Sequence, residues 1–286
     1  MRLVCFYQQV RHDIVLNKMC GHMKKFSIEL HNQTITKKGI AAIIDFYQTM
    51  SIDQLQHRDL LAFATGDNSP FLNVVIDTRP HREGSSDLIK PITDFFDKHH
   101  VPWGWFVVPG SHENDLLQQG FSLLEEVPAM YFDLSNLLPI LKDERISIQE
   151  LDNNDDLKIW IQPINEGFQV KDNDENYRKL NVAILKSGSN TLRHFVAYYQ
   201  NNIAAAGTLF LSKDAVMLHN LATKTAYKKH GIGTALALHM MEKAKQLGFM
   251  HCFLDSSEDG FSLYKKIGFE VYSTTLVYQV TPVLFP

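Results

Sequence analysis

LHNLATKTAYKKHGIGTALALHMMEKAKQLG, residues 218–248, is an apolar strand that runs into a basic, glycine-containing turn and from there directly into a helix. The helix follows from spacing. Ile232, Leu236, Met240 and Ala244 form one stripe with Leu247 beside it, Glu242, Lys243 and Gln246 face away, and Gly248 supplies the stop. The turn suits an anion, because Gly231 and Gly233 let the backbone approach a ligand closely. The first-turn amides, from Gly231 through Ile232, Gly233 and Thr234 to Ala235, are expected to lack an intrahelical acceptor. The helix dipole adds partial positive charge there, and Lys228, Lys229 and His230 add long-range attraction for a polyanion such as a phosphate.

A dinucleotide-binding fold would require a third small residue three positions after the second glycine, a turn of few residues, and an acidic residue ending the next strand. Position 236 is leucine and the loop from Thr223 to His230 is long for that fold, so Asp255 is the one feature in its favour. The deciding signal lies further on. After the helix come a short apolar strand, HCFLDSS (251–257), and then GFSLYKKIGFEVY (260–272).

With these two segments in order, the chain resembles the GNAT superfamily of acyl-CoA-dependent N-acetyltransferases. The family's Arg/Gln-x-x-Gly-x-Gly/Ala turn is matched by Lys228-Lys229-His230-Gly231-Ile232-Gly233, and its Leu-Tyr-x-Lys-x-Gly-Phe segment by Leu263-Tyr264-Lys265-Lys266-Ile267-Gly268-Phe269. The resemblance covers about residues 145–280. Three positions depart from it. Lys228 replaces arginine or glutamine and cannot make a planar bidentate contact. Lys229 stands where many relatives carry glycine, so the turn must avoid positive φ there or accept strain. Ser257 stands where asparagine is common and reaches less far. The resemblance implies an α/β (α+β) fold with a mixed, mostly antiparallel twisted sheet flanked by helices, whose two central strands splay to admit acetyl-CoA. The coenzyme is a co-substrate, held by residues 228–235, by main chain at Leu221, Ala222 and Thr223, and by Ser257.

The composition bounds the rest. A chain of 286 residues with 45% hydrophobic and 21% charged residues fits two ordinary globular domains, and a net charge of −4 argues against a nucleic-acid partner. Cys5, Cys20 and Cys252 are far apart, which supports neither a disulfide framework nor a zinc site. No set of His, Asp and Glu shows ligand spacing, so no metal is expected. No apolar run approaches the roughly 18 residues of a membrane span, and a cytoplasmic location is expected. Residues 1–22 read as a tail or alternative-start segment ahead of Met23, with Gly21-His22-Met23 resembling a cleavage scar.

The C-terminal half predicts helices over 157–168 and 172–185, strands over 193–199, 203–211 and 215–222, then helix, strand, helix and strand over 232–247, 251–256, 259–267 and 269–280. The N-terminal half repeats the later part of that order: strand 73–78, helix 86–100 despite Pro91, strand 105–108, short helix 113–119, and a strand opening at Gly120-Phe121. LLQQGF (116–121) echoes LYKKIGF (263–269), which implies two tandem copies. RPHREGSS (79–86) has no Gly-x-Gly, so the first copy is expected to have lost the coenzyme. A linker near 136–146 separates a degenerate domain, 23–138, from a catalytic one, 145–286.

Acetyl transfer from a thioester to an amine needs a neutral amine, a polarised carbonyl and a proton for the leaving thiolate. The resemblance puts Tyr264 at the family's proton donor; packing of an aromatic helix residue is the competing reading. His219, two residues before Leu221 and therefore expected on its strand face, resembles a histidine of arylalkylamine acetyltransferases and is a candidate proton relay or a structural residue. Glu166, Asp172, Asp174 and Glu175 are candidates for attracting a cationic acceptor or members of a solvated face. The expected function is acetyl transfer to a primary amine of a small molecule by direct attack in a ternary complex. A protein or peptide acceptor and a non-catalytic acyl-CoA-binding module are the alternatives. Oligomeric state is not encoded in any feature of the chain.

Overall fold

The computed structural model describes residues 33–58, 60–77, 86–107, 113–139, 143–152, 157–170 and 175–280. The chain divides into two compact units, Met1–Lys38 and Gly39–Pro286. In the first, residues 33–38 are helical. The second begins with helix α1, residues 39–50, and holds an eleven-stranded sheet.

Its first half runs β1 (Asp53–His57), β2 (Leu60–Ala64), β3 (Val74–Asp77), α2 (Ser86–His99), β4 (Gly104–Val107), α3 (Glu113–Gln118) and β5 (Phe121–Asp133). After β6 (Ile146–Glu150), α4 (Lys158–Gly167) and α5 (Glu175–Lys186), the second half repeats that order as β7 (Leu192–Tyr199), β8 (Asn202–Leu211), β9 (Val216–Thr223), α6 (Ile232–Gln246), β10 (His251–Asp255), α7 (Glu258–Ile267) and β11 (Glu270–Val280). In each half one parallel pair, β3–β4 or β9–β10, is joined by the crossover helix that parallel pairing demands. All other pairings are antiparallel, so the fold is the mixed, helix-flanked sheet of two tandem copies that the sequence implies.

The copies are joined by exchange of their last strands. The sheet order is β1-β2-β3-β4-β11-β5-β10-β9-β8-β7-β6, so β11 lies against β4 of the first copy and β5 against β10 of the second. Side chains follow the strands. Leu276 and Tyr278 of β11 enter the core under α2, beside Leu88, Phe96 and Trp105. Met130 and Phe132 of β5 enter the core under α6, beside Leu236, Met240 and Phe269.

The two parallel strands at the centre of the second copy part early. Only Val216 pairs with Cys252 and Met217 with Phe253, whereas β9 continues to Thr223 on β8 alone. A bulge bends β9 at this point: its register on β8 shifts between Thr208↔His219 and Ala206↔Ala222, and Asn220 takes φ 54. Asparagine tolerates that left-handed geometry better than most residues, and its amide donates to the Tyr177 hydroxyl at 2.6 Å.

Candidate coenzyme cleft

Where β9 and β10 part, a cleft of about 730 Å³ opens. Its walls are Leu221, Ala222 and Thr223 from the end of β9, the turn at Lys228, Lys229 and Gly231, the start of α6 at Ile232, Gly233 and Thr234, and Ser257 and Tyr264 at α7. Tyr227 and further residues of α7, Leu263 among them, also line it, and the sequence did not point to Gly167, Phe168 and Gln169 at the end of α4 or to Glu125 from β5 of the other copy. A glycine is required at 167, because a Cβ there would meet the Ala222 Cβ at 2.7 Å. No pattern within β5 signals that its residue 125 reaches this cleft, since only the strand exchange brings it there.

The two glycines of the turn act differently. Gly231 is the N-cap of α6 with φ 77, a left-handed conformation, and a Cβ on it would meet nothing within 4 Å because it faces the open cleft. At Gly233 a Cβ would press on Leu263 and Thr223, both at 3.2 Å, so this glycine serves the close approach of α6 to β9 and α7. Lys229 accepts the strain that its sequence position foreshadows, with φ 66.

No side chain caps α6, and its first intrahelical bond is Ala235 N–H to Gly231 O at 2.9 Å. The amides of Ile232, Gly233 and Thr234 therefore lack intrahelical acceptors, whereas that of Ala235 is already used, which corrects the expectation for that residue. His230 is displaced too. Its Nδ1 lies 3.0 Å from the Lys228 carbonyl oxygen, its ring centroid is 5.2 Å from that of Tyr199, and it does not line the cleft. Lys228 is paired at 3.2 Å with Asp259, across exposed surface where such a pair contributes little stability. Lys229 has no ion-pair partner among the described residues.

Ser257 lines the cleft and caps α7, its hydroxyl accepting from the Gly260 amide at 3.3 Å. Tyr264 has its ring in the core against Phe269, edge to face at 5.7 Å, while it also lines the cleft. Burial, with Cys252 adding to it, pushes its phenol well above the usual range, so the group is protonated at neutral pH. Glu166 accepts from the Thr225 amide at 2.7 Å and so holds the loop ahead of the Lys228–Gly231 turn. Glu175 pairs with Arg178 at 2.7 Å, and Asp172 and Asp174 lie outside the described residues.

His219 does not share a face with Leu221. The extra residue at the Asn220 bulge breaks the alternation: Leu218 and Leu221 pack on the α6 side, while His219 stacks on Phe46 of α1 at 3.8 Å, interplanar angle 14°. It is absent from the cleft wall, its Nε2 is buried without a partner, and burial pushes its pKa down to about 3. The imidazole is neutral near pH 7 and does not titrate there. No group of three or more His, Cys, Asp or Glu able to hold a metal occurs among the described residues.

Three amides without intrahelical acceptors thus open beside splayed parallel strands and a buried tyrosine, an arrangement able to receive an anion. Residues 155–269 match the model of the acetyltransferase (GNAT) family. The chain thus carries a GNAT domain, an acyltransferase domain. Among solved structures, a GCN5-related N-acetyltransferase from Kribbella flavida aligns with TM-score 0.64 at 13% identity, over 84% of this chain and 95% of that one. One from Sphaerobacter thermophilus aligns with TM-score 0.61 at 14% identity, over 78% of each. A tandem GNAT protein from the clavulanic acid biosynthesis pathway aligns with TM-score 0.55 at 13% identity, over 78% and 79%. At these identities the likeness is one of fold, and it extends across both copies. No curated protein sequence matches. No helix among the described residues is long and apolar enough to cross a membrane.

Proposed function

We propose that this chain transfers the acetyl group of acetyl-CoA to a primary amine of a small molecule by direct attack in a ternary complex. The supporting observation is the juxtaposition, in one cleft, of the Gly231 cradle and Tyr264. The amides of residues 232–234 and Lys229 would hold the coenzyme's pyrophosphate, which fits a turn whose left-handed glycine leaves the cradle open. A main-chain amide near Leu221–Thr223, where β9 has left β10, would polarise the thioester carbonyl. The neutral amine nitrogen attacks the carbonyl carbon, the C–N bond forms, the C–S bond breaks, Tyr264 gives its proton to the thiolate, and the proton that the nitrogen sheds restores Tyr264. His219, neutral and off the cleft wall, keeps a place only as a hydrogen-bond acceptor on the opposite face of the sheet. Residues 23–138 and 145–286 are the two copies in this reading, and coenzyme binding belongs to the second.

The test is thiol release from acetyl-CoA measured across polyamines, aminoglycosides, alkylamines, amino acids and peptides. Release with a small amine supports the proposal, and release with peptides alone moves the acceptor to protein. Saturable acetyl-CoA binding with no release from any amine makes the chain a binding module.

A further inference from the structure

Cys252 and Leu254 enter the α6 core, so strand alternation turns Phe253 and Asp255 of β10 toward the opposite face of the sheet. There Asp255 ends the strand at the place where β9 has already parted from it, its backbone still paired with Ala129 of β5. Its Oδ1 is buried and has no hydrogen-bond partner, and Asp255 forms no ion pair among the described residues. Asp255 as a whole is half-buried, but a buried acceptor oxygen left without a donor costs free energy, and an incoming donor would relieve that cost.

The surroundings are aromatic and come from several elements. Tyr47 of α1 and Tyr272 of β11 lie within electrostatic reach of Asp255, and Tyr177 of α5 lies within reach of Tyr47. Tyr47 is held by donating to the Phe71 carbonyl at 2.8 Å, and Tyr272 by an edge-to-face contact with Phe253 at 5.5 Å. Phe46, one residue from Tyr47, stacks on His219, whose Nε2 is also buried without a partner. Gly39 is placed where any side chain would run into the Tyr272 hydroxyl, so α1 can lie this close.

We propose that Asp255 is the counter-ion and proton acceptor for the ammonium group of the acceptor substrate, which lies among Tyr47, Tyr177 and Tyr272 with His219 as a neutral hydrogen-bond acceptor. This rests on the acetyl-transfer reading and adds the substrate class, a singly charged primary alkylammonium ion. It also gives the first copy a task, since α1 supplies part of the chamber. A carboxylate without a cation attracts an ammonium ion, and tyrosine faces bind the same charge. Burial, without help from any neighbouring charge, pushes the Asp255 carboxyl up to about 7, the range in which it can take a proton and release it again. The protons balance. Of the ammonium's three, one passes to Asp255 and then to solvent, one ends on the coenzyme sulfur through Tyr264, and one stays on the amide product.

The experiment is calorimetric titration of the full chain at pH 8 with straight-chain primary amines from methylamine to hexylamine and with the matching alcohols. The wild type is expected to bind its best alkylammonium at least about 10-fold more tightly than the alcohol, the scale of one charge-assisted contact. Asp255→Asn should abolish that preference and leave acetyl-CoA affinity unchanged. An ammonium preference that survives Asp255→Asn, or its absence in the wild type, overturns the proposal. If Asp255→Asn fails to fold, Tyr272→Leu serves: ammonium affinity should fall with acetyl-CoA binding intact, and unchanged ammonium affinity overturns it. Ammonium binding without thiol release leaves the chamber standing and sinks the acetyl-transfer reading. Thiol release from amines that Asp255→Asn leaves untouched does the reverse.

Discussion

Asp255→Asn also has a consequence for stability that is independent of any substrate. The Asp255 carboxyl titrates near 7 in the fold because burial disfavours its charge. In the unfolded chain it titrates near the ordinary value of about 3.9. The folded state therefore holds a proton that the unfolded state has released between these values, and stability falls as pH rises from about 4 to about 7. Linkage with those two values gives a penalty of about 1–2 kcal/mol at pH 5 and about 4 kcal/mol at pH 8. Asparagine carries no such titration. Its own packing and unpaired amide hydrogens cost about 1–3 kcal/mol, but that cost does not change with pH. Wild type and variant should thus draw apart by roughly 2–3 kcal/mol between pH 5 and pH 8, the variant gaining at the higher pH. Urea unfolding of both proteins at the two pH values reads this directly, and terms from other titrating groups cancel in the comparison. Two curves that shift in parallel would show that Asp255 is solvated or paired, and the electrostatic argument for the chamber would fall with it.

Four further outcomes are expected. Gly231→Val places a β-branched residue at positive φ, at a cost of about 1–3 kcal/mol, and fills the open cradle, so acetyl-CoA affinity should drop at least about 10-fold in calorimetry. Unchanged affinity would remove the phosphate assignment. Lys229→Gly relieves the strain at φ 66 and should raise the urea midpoint by an amount equivalent to about 1 kcal/mol, whereas a lowered midpoint would mean the lysine side chain does more than tolerate the turn. Tyr264→Phe should lower turnover about 10- to 1000-fold with coenzyme affinity retained, and full activity would assign the ring to packing alone. His194 and His219, both pushed down to about 3 by burial, are stabilising while neutral; that stability should be complete above about pH 6.5 and be lost as pH falls toward 3. Acid unfolding of His219→Gln should be less steep, and an identical acid limb would place the imidazole in contact with solvent.

From α4 onward the second copy was legible to within a few residues because each of those elements carries a local signal, whereas β6 was not read from the sequence. The stripe Ile232, Leu236, Met240, Ala244 and the left-handed cap at Gly268 are properties of short segments, and the structure keeps them. Strand β1 escaped because DQLQH offers a single apolar residue, Leu55, on its half-buried face, too few to show an alternation. Helix α1 escaped for the opposite reason. Ala42, Phe46, Tyr47 and Met50 are buried within a segment apolar enough to read as several things at once. The placement of His219 failed on one residue: counting by twos assumes a regular strand, and the Asn220 bulge, encoded by nothing more than an asparagine, reverses the face. Asp255 stood in plain view as the end of a strand. Its meaning depends on Tyr47 and Tyr272, 208 residues before and 17 after it, and no local pattern connects them.

Strand exchange changes how the tandem arrangement is to be understood. A degenerate copy beside an active one could in principle be lost without harm. Here β10 has β5 of the first copy as its outer neighbour, and Met130 and Phe132 from that strand are part of the core that carries helix α6. Cutting near residue 140 would strip both from the second copy and expose an edge beside the cleft. The first copy would in turn lose β11 from β4, with Leu276 and Tyr278 from its own core. Each removal takes large apolar side chains from a packed interior, where single truncations already cost about 2–5 kcal/mol. A fragment that fails to bind coenzyme would therefore report only its own unfolding. Division of labour between the copies has to be tested by point substitution in the intact chain, and for that purpose Gly231 and Asp255 are complementary: one lines the cleft, the other ends β10 on the opposite face of the sheet, within electrostatic reach of Tyr47 and Tyr272.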